Sequence, residues 1–308
     1  MGLALRGLAA LVGWLPWRAL GPIGAVLGWI AGSVLRIRRR HVQEAMRRAG
    51  VADSAGRARA MYRALGRSAL ELLWLGGPGA GGGTHARIDA ASTGPWRDAV
   101  GRGRGVVIAA SHTGNWDLAA CTMAREVDLL VVTKRLSIPS LDRFWQSTRA
   151  AHGVRLAEAR GAVQGARDVV RRGGAVAMMI DQVPERGGRA VVVDFLGCPA
   201  LVDRAPATLA AALGAPLVVA ASRRDDDGEY VLCVLDVLVP PVRGRRAWID
   251  ETTVTATRAL ERFVRSYPDQ WLWLHRRWKH LDQGPDLATL PRPCTIRSSS
   301  PGAASRAV

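Results

Sequence analysis

The 308-residue sequence predicts an α/β fold: a mixed, mostly parallel sheet flanked by helices, with an antiparallel edge. Three observations predict it. Short continuous apolar runs, "GVVIAA" (105–110), "LLVVT" (129–133) and "AVAMMI" (175–180), read as strands covered on both faces. Helical candidates at 116–125, 139–152 and 161–172 lie between them, the alternation that builds a parallel sheet. Then "RDDDGE" (224–229), with Asp-Gly at its tip, joins "PLVVAAS" (216–222) to "EYVLCVLDVLV" (229–239) as a hairpin, giving the antiparallel edge. "AVVVDF" (190–195) adds a strand, and a last helix covers about 249–266.

The part before the sheet reads differently. Ala19 to Leu35 is uncharged over 17 residues, the lower limit for a membrane span, and is followed by the basic cluster "RIRRRH" (36–41). An apolar segment with basic residues behind it is what the positive-inside rule places at a cytoplasmic face. Its glycines and Pro22 interrupt an ideal helix, so a short span and a helix lying in the interface both remain open. Gln43 to Leu75 reads as helical, and "GGPGAGGGT" (76–84) as a linker. The expected organisation is a membrane anchor or interfacial helix at 1–41, a helical segment and Gly-rich linker at 42–84, the main domain at 85–282 and a disordered polar tail at 283–308.

Charge narrows the partners. The net charge is +17, yet all but Lys134 and Lys279 of the 43 basic residues are arginine, a compositional bias along the whole chain. No nucleic-acid docking element accompanies the charge, so a nucleic-acid partner is not expected. Anionic headgroups, phosphorylated substrates and acidic carrier proteins fit a basic surface. The 11 tryptophans against 3 tyrosines and 3 phenylalanines suit a membrane interface or a core equally. Cys121, Cys198, Cys233 and Cys294 form no C-x-x-C pair, so neither a metal nor a redox cofactor is expected.

The chemistry points to "SHTGNWD" (111–117), where a buried strand stops. Functional groups of open α/β sheets gather at the carboxyl ends of strands. Residues five apart on one helix are separated by about 140° and do not meet. His112 and Asp117 can therefore pair only if His112 is on the loop and Asp117 in the first helical turn, with Thr113 or Asn115 as cap. Asp117 would then fix the imidazole tautomer and leave the other nitrogen as a general base. By spacing alone, a strand-end polar residue and a first-turn helix charge explain the pair better.

In this setting "SHTGNWD" resembles the H-x-x-x-x-D/E block of the glycerolipid acyltransferase superfamily, and more narrowly the lipid A late acyltransferases. Further stretches agree in order: 134–156 with Arg135 and Arg149, "MMIDQ" (178–182) with Asp181 and Gln182, 193–224 with its Gly-Ala-Pro, and "YPDQWLWLHRRWK" (267–279). Asp117 stands where Glu is more frequent, and Thr113 where Phe is common. The resemblance covers about residues 1–282. It implies a membrane-associated enzyme at the cytoplasmic face of a bacterial inner membrane. The implied reaction is acyl transfer from a thioester, carried by acyl carrier protein or coenzyme A, to a hydroxyl of an anionic glycolipid such as a lipid A precursor. A phosphatidylinositol mannoside or a lysophospholipid is the alternative acceptor. His112 is the implied base and Asp117 its orienting partner, while Arg135, Arg149, Asp181 and Gln182 are implied to bind substrate. A serine hydrolase is disfavoured because no G-x-S-x-G occurs.

Overall fold

In a computed structural model, residues 2–78, 85–159, 161–184 and 190–279 are described. Four helices come first: α1 (Gly2–Gly13), α2 (Trp17–Trp29), α3 (Arg39–Arg48) and α4 (Ser54–Leu75). Then follow β1 (Ala86–Ile88), α5 (Ala90–Gly101), β2 (Val106–Ala110), α6 (Trp116–Glu126), β3 (Leu129–Thr133), α7 (Pro139–Ala151), β4 (Arg155–Glu158), α8 (Ala162–Arg171) and β5 (Ala175–Met179). The chain continues through β6 (Ala190–Phe195), β7 (Cys198–Asp203), α9 (Ala205–Leu213), β8 (Leu217–Arg224), β9 (Tyr230–Leu238) and α10 (Arg245–Ser266). Most of the glycine run and the polar tail, 79–84 and 280–308, lie outside the described residues.

Seven strands form one sheet in the order β1-β9-β8-β2-β5-β3-β4. The five strands from β8 to β4 run parallel, whereas β9 is antiparallel to β8 and carries β1 parallel to itself. The α/β fold, mostly parallel with an antiparallel side, is thus as expected. One strand sits elsewhere than the apolar run suggests: β6 pairs only with β7, as a separate antiparallel hairpin. The expected single helix over 43–75 is two, because Asp53 adopts a left-handed conformation (φ 45°) and its carboxylate caps α4 by accepting from the Gly56 amide.

The pleat divides the core. Val107 and Ala109 of β2 face a layer with α8, α9 and α10, and Val106 and Ile108 face one with α5, α6 and the end of α4. Both faces of the central strand are covered, which is why its sequence is a continuous apolar run.

The glycines of the amino-terminal segment do not break its helix. α2 continues through a π-helical turn, Ile30–Val34, and its glycines are the contact surface. A Cβ at Gly28 would fall on the Tyr62 carbonyl, and one at Gly24 on the Arg67 backbone of α4. Small residues one turn apart let two backbones approach where larger side chains would hold them off. Arg36 (φ 54°) and Arg38 (φ 51°) then turn the chain so that α2 and α3 meet at 91°. No single described helix is long and apolar enough to cross a membrane; among the described residues only that bent pair has the length and composition for it, and only jointly. The outer face of α1, α2 and the following turn is apolar nonetheless, with Leu3 86% and Trp14 81% exposed and Val26, Val34, Leu35 and Ile37 beside them. Trp271, Trp273 and Trp278, by contrast, are core residues.

Candidate active site

The register of β2 against β5 builds the site. Ala110 lies opposite Met179 in this parallel pair, and the Ile180 amide donates to the Ala110 carbonyl at 2.9 Å. His112 and Asp181 each follow two residues later, so they leave adjacent strand ends side by side. Asp181 Oδ1 receives the His112 Nδ1–H at 2.9 Å, and Oδ2 accepts the His112 backbone amide at 2.8 Å and the Trp271 indole N–H at 2.9 Å. Burial alone would push the Asp181 carboxyl up. The facing imidazole and these hydrogen bonds outweigh it and hold the group well below the ordinary carboxylate range. An ionised Asp181 fixes the tautomer in which Nδ1 of His112 carries the proton and Nε2 offers its lone pair.

Asp117 is placed differently from the expectation. It lies in the first turn of α6, as anticipated, and Asn115 caps that helix by accepting from the Leu118 amide at 3.1 Å. Its carboxylate, however, turns to α7: Oδ1 accepts from Trp145 Nε1 at 2.8 Å and from the Arg149 guanidinium at 2.6 and 2.5 Å. Among the described residues the hydrogen bond expected from Asp117 to His112 is made by Asp181 instead. The reason is geometric, since strand register delivers Asp181 to the imidazole while a two-pronged guanidinium claims Asp117.

The other expected site residues separate in the same way. Gln182 joins the histidine: its amide nitrogen lies 3.2 Å from His112 Nε2 and 2.8 Å from His275 Nε2. Arg149 is buried against Asp117. Arg135 stands apart, its side chain 76% exposed and paired with Glu158 at 2.5 Å.

Sequence reasoning missed several contributors. His275 packs edge-on to His112, ring centroids 5.1 Å apart, and burial with the neighbouring His112 lowers its pKa to about 4. It is therefore neutral at pH 7 and accepts from Gln182. Trp271 is not an interfacial tryptophan but the donor that holds Asp181. The one available signal was His275 itself, a polar residue inside the "WLWLHRRW" block. Arg277 of that block is a buried cation, donating to the Leu201 carbonyl at 2.6 Å, and burial pulls its pKa down to about 10.

The loop that carries His112 is braced from three sides. Gly114 (φ 54°) donates to the Gln270 carbonyl at 2.7 Å, and a Cβ there would meet the Ser222 carbonyl at 2.6 Å. Thr113 is fully buried: its hydroxyl accepts the Ser222 amide at 3.0 Å and its carbonyl accepts the Ser222 hydroxyl at 2.7 Å. The buried Glu71 of α4 accepts from Asn115 Nδ2 at 2.9 Å and pairs with Arg224.

Beside the histidine an apolar cavity opens between α6 and the sheet. Ser111, Trp116 and Ser222 line its histidine end, with Ile108, Ala110, Ala119, Ala120, Ala177 and Ala220 along the walls and Trp96 of α5 also bordering it. Its roughly 800 Å³ of empty space, open mouth included, exists because small residues face one another across the layer. Among the described residues no group of three or more His, Cys, Asp or Glu side chains is placed to hold a metal ion. Cys121 is buried below Asp117, and burial followed by that carboxylate pushes its thiol up to about 12, which leaves it protonated and unreactive.

An imidazole of fixed tautomer on a strand end thus lies next to an apolar cavity. No curated protein matches the sequence. The profile of a family described as bacterial lipid A biosynthesis acyltransferase does match it, over residues 3–280, and that span takes in every group of the site. The chain is an acyltransferase, with an acyl donor and a lipid acceptor, and it belongs to the bacterial lipid A biosynthesis acyltransferase family.

Proposed function

We propose that the protein transfers a fatty acyl chain from a thioester, on acyl carrier protein or coenzyme A, to a hydroxyl of a lipid A precursor or similar anionic glycolipid. His112 is the general base and Asp181 the residue that orients it. The observation that carries this reading is the 2.9 Å hydrogen bond between His112 Nδ1 and Asp181, beside an apolar cavity of the right character for an acyl chain. The acceptor hydroxyl gives its proton to His112 Nε2 while its oxygen attacks the thioester carbonyl. The tetrahedral oxyanion needs donors. The Thr113 and Gly114 amides are spent on Ser111 and Gln270, so the first-turn amides of α6 at Trp116 and Asp117 are the candidates. Collapse of the intermediate breaks the C–S bond, and the departing thiolate takes the proton back from the imidazolium. The products are an ester and a free thiol.

Gln182 occupies His112 Nε2 in the resting site, and the incoming hydroxyl takes that place. Asp117 and Arg149 serve from one layer away, locking α6 to α7 and so fixing the floor of the acyl cavity. Arg135, held to Glu158 on the surface, is available to an anionic partner such as acyl carrier protein. The exposed apolar face of α1 and α2 supports an interfacial placement on the cytoplasmic leaflet of the inner membrane, with the basic turn at 36–40 among anionic headgroups.

The test is thiol release. Full-length protein in mixed micelles is given acyl thioesters and a panel of lipid acceptors, and products are read by mass spectrometry. Release that depends on one acceptor class, with that lipid gaining one acyl chain, is expected. Release without any acceptor would make the protein a thioesterase and overturn the reading.

A further inference from the structure

A second concavity lies on the far side of the histidine pair, between α3 and the segment 276–279. Arg40, Arg47, Arg48, Arg276 and Lys279 line it, with the buried Trp278 as its apolar wall. Five permanent cations thus converge on one hollow. The lining holds a single carboxylate, Glu44, and Arg47 already engages it at 2.7 Å. Among the described residues no carboxylate pairs with Arg40, Arg48, Arg276 or Lys279. Arg87, Arg155 and Arg265, in contrast, each meet an acidic partner on the surface. Like charges gathered in a concave wall repel one another, and a bound anion relieves that repulsion. Guanidinium forks suit phosphate oxygens in particular.

The place of this hollow gives it meaning. It shares a wall with the active site: His41 Nε2 bonds the His275 carbonyl at 3.1 Å, the Arg38 guanidinium bonds the Leu274 carbonyl at 3.1 Å, and the His275 ring packs on His112. On its other side the chain emerges from the exposed apolar residues Val34, Leu35 and Ile37. A ligand with its tails at that apolar edge and a phosphate in the basic hollow would present its polar headgroup to His112.

We propose that the cleft between α3 and residues 276–279 binds the phosphate of a lipid headgroup, and so holds the acceptor while its hydroxyl is acylated. The identity of the ligand as the acceptor rests on the acyl-transfer reading; the phosphate site itself does not. The experiment compares three proteins in zwitterionic micelles: the full-length chain, an Arg48→Gln/Arg276→Gln variant, and an Arg97→Gln/Arg102→Gln variant that removes the same charge from α5 and its C-terminal cap. Binding of dioleoylphosphatidate, dioleoylglycerol and inorganic phosphate is measured by calorimetry, with circular dichroism to verify folding. Phosphatidate affinity is expected to fall at least tenfold in the cleft variant and less than twofold in the α5 variant, with dioleoylglycerol indifferent to both. Equal losses in the two variants would reduce the effect to bulk charge and overturn the site. Inorganic phosphate is expected to bind at least tenfold more weakly than phosphatidate; equal affinity would make this a free-anion site and overturn the headgroup assignment. In turnover, the cleft variant should raise KM for a phosphate-bearing acceptor at unchanged kcat. A rise in the donor's KM instead would assign the cleft to the donor and overturn the proposal. If the binding differences hold and no lipid is ever acylated, the site stands and the acyl-transfer reading falls.

Discussion

Asp117 and Asp181 are two buried carboxylates on the same rim of the sheet, and each accepts an indole N–H, from Trp145 and Trp271 respectively. What separates them is the other partner. Asp117 faces Arg149, whose charge is permanent; Asp181 faces the His112 imidazole. A carboxylate against a guanidinium makes a fixed joint between two helices. A carboxylate against an imidazole makes a base whose protonated form is stabilised at the moment it arises. The same residue type, similarly buried, meets a permanent cation in one place and an imidazole in the other, and on the proposed reading that difference makes one structural and the other chemical.

The contrast can be broken from either end. The largest effect is expected for Asp181→Asn, which keeps the shape but removes the charge and the acceptor that fixes the tautomer. Its kcat should fall about a thousandfold or more, as orientation and charge stabilisation are lost together, with the far-ultraviolet spectrum intact. Full activity in this variant would end the claim that Asp181 is the orienting residue. Asp117→Asn is the converse. It leaves Arg149 buried without its counter-charge, so stability should drop by about 3–5 kcal/mol, read as a shift in the denaturant midpoint. The folded fraction should keep far more activity than Asp181→Asn does. An Asp117→Asn protein of normal stability but no activity would invert the comparison and return Asp117 to the chemistry.

The third prediction concerns the imidazole packed against His112. With its pKa lowered to about 4 from an ordinary value near 6.5, His275 binds fewer protons in the folded chain than in the unfolded one across that interval. Stability should therefore fall as pH drops from about 6.5 to 4, by up to about 3 kcal/mol, and change no further on this account below that. Burial is the main cause; His112, Arg38 and Arg277 also oppose a proton there, while Asp181 favours one. His275→Gln should flatten the slope of urea midpoint against pH in that window; an unchanged slope would remove His275 as its source. The smallest effect is expected at Gln182. Replacing it with methionine removes a neutral hydrogen bond to His112 Nε2, worth about 0.5–1.5 kcal/mol, so kcat should change by less than about tenfold.

The parts of this architecture that are local in sequence were legible there. The apolar runs of β2, β3 and β5 gave the sheet, the Asp-Gly turn gave its antiparallel side, and strand ends marked both His112 and Asp181. The short edge strands were not legible: "ARI" of β1 and "RLAE" of β4 have no apolar run, because an edge strand has less to bury. Nor was the pairing of the histidine. Asp117 is five positions from His112 and Asp181 is sixty-nine, and only the register of β2 on β5 shows that the distant one arrives. Proximity along the chain pointed to Asp117, whereas the hydrogen bond of the His112 imidazole is accepted by Asp181. The glycines of α2 misled for a related reason: a residue that weakens an isolated helix also permits a close one, and the neighbours that decide, Tyr62 and Arg67, are far along the chain on α4.

That close contact bears on how the enzyme can be handled. An amino-terminal greasy segment invites removal, in the hope of an easily purified catalytic remainder. Here α2 lies backbone to backbone on α4, and α4 supplies Glu71 to the cap of α6 as well as Leu70, Trp74 and Leu75 to the core. Cutting the chain before residue 54 would strip one side of α4 bare and trade an exposed apolar surface for a freshly exposed interior. Detergent, rather than truncation, is the route to a soluble sample that still works.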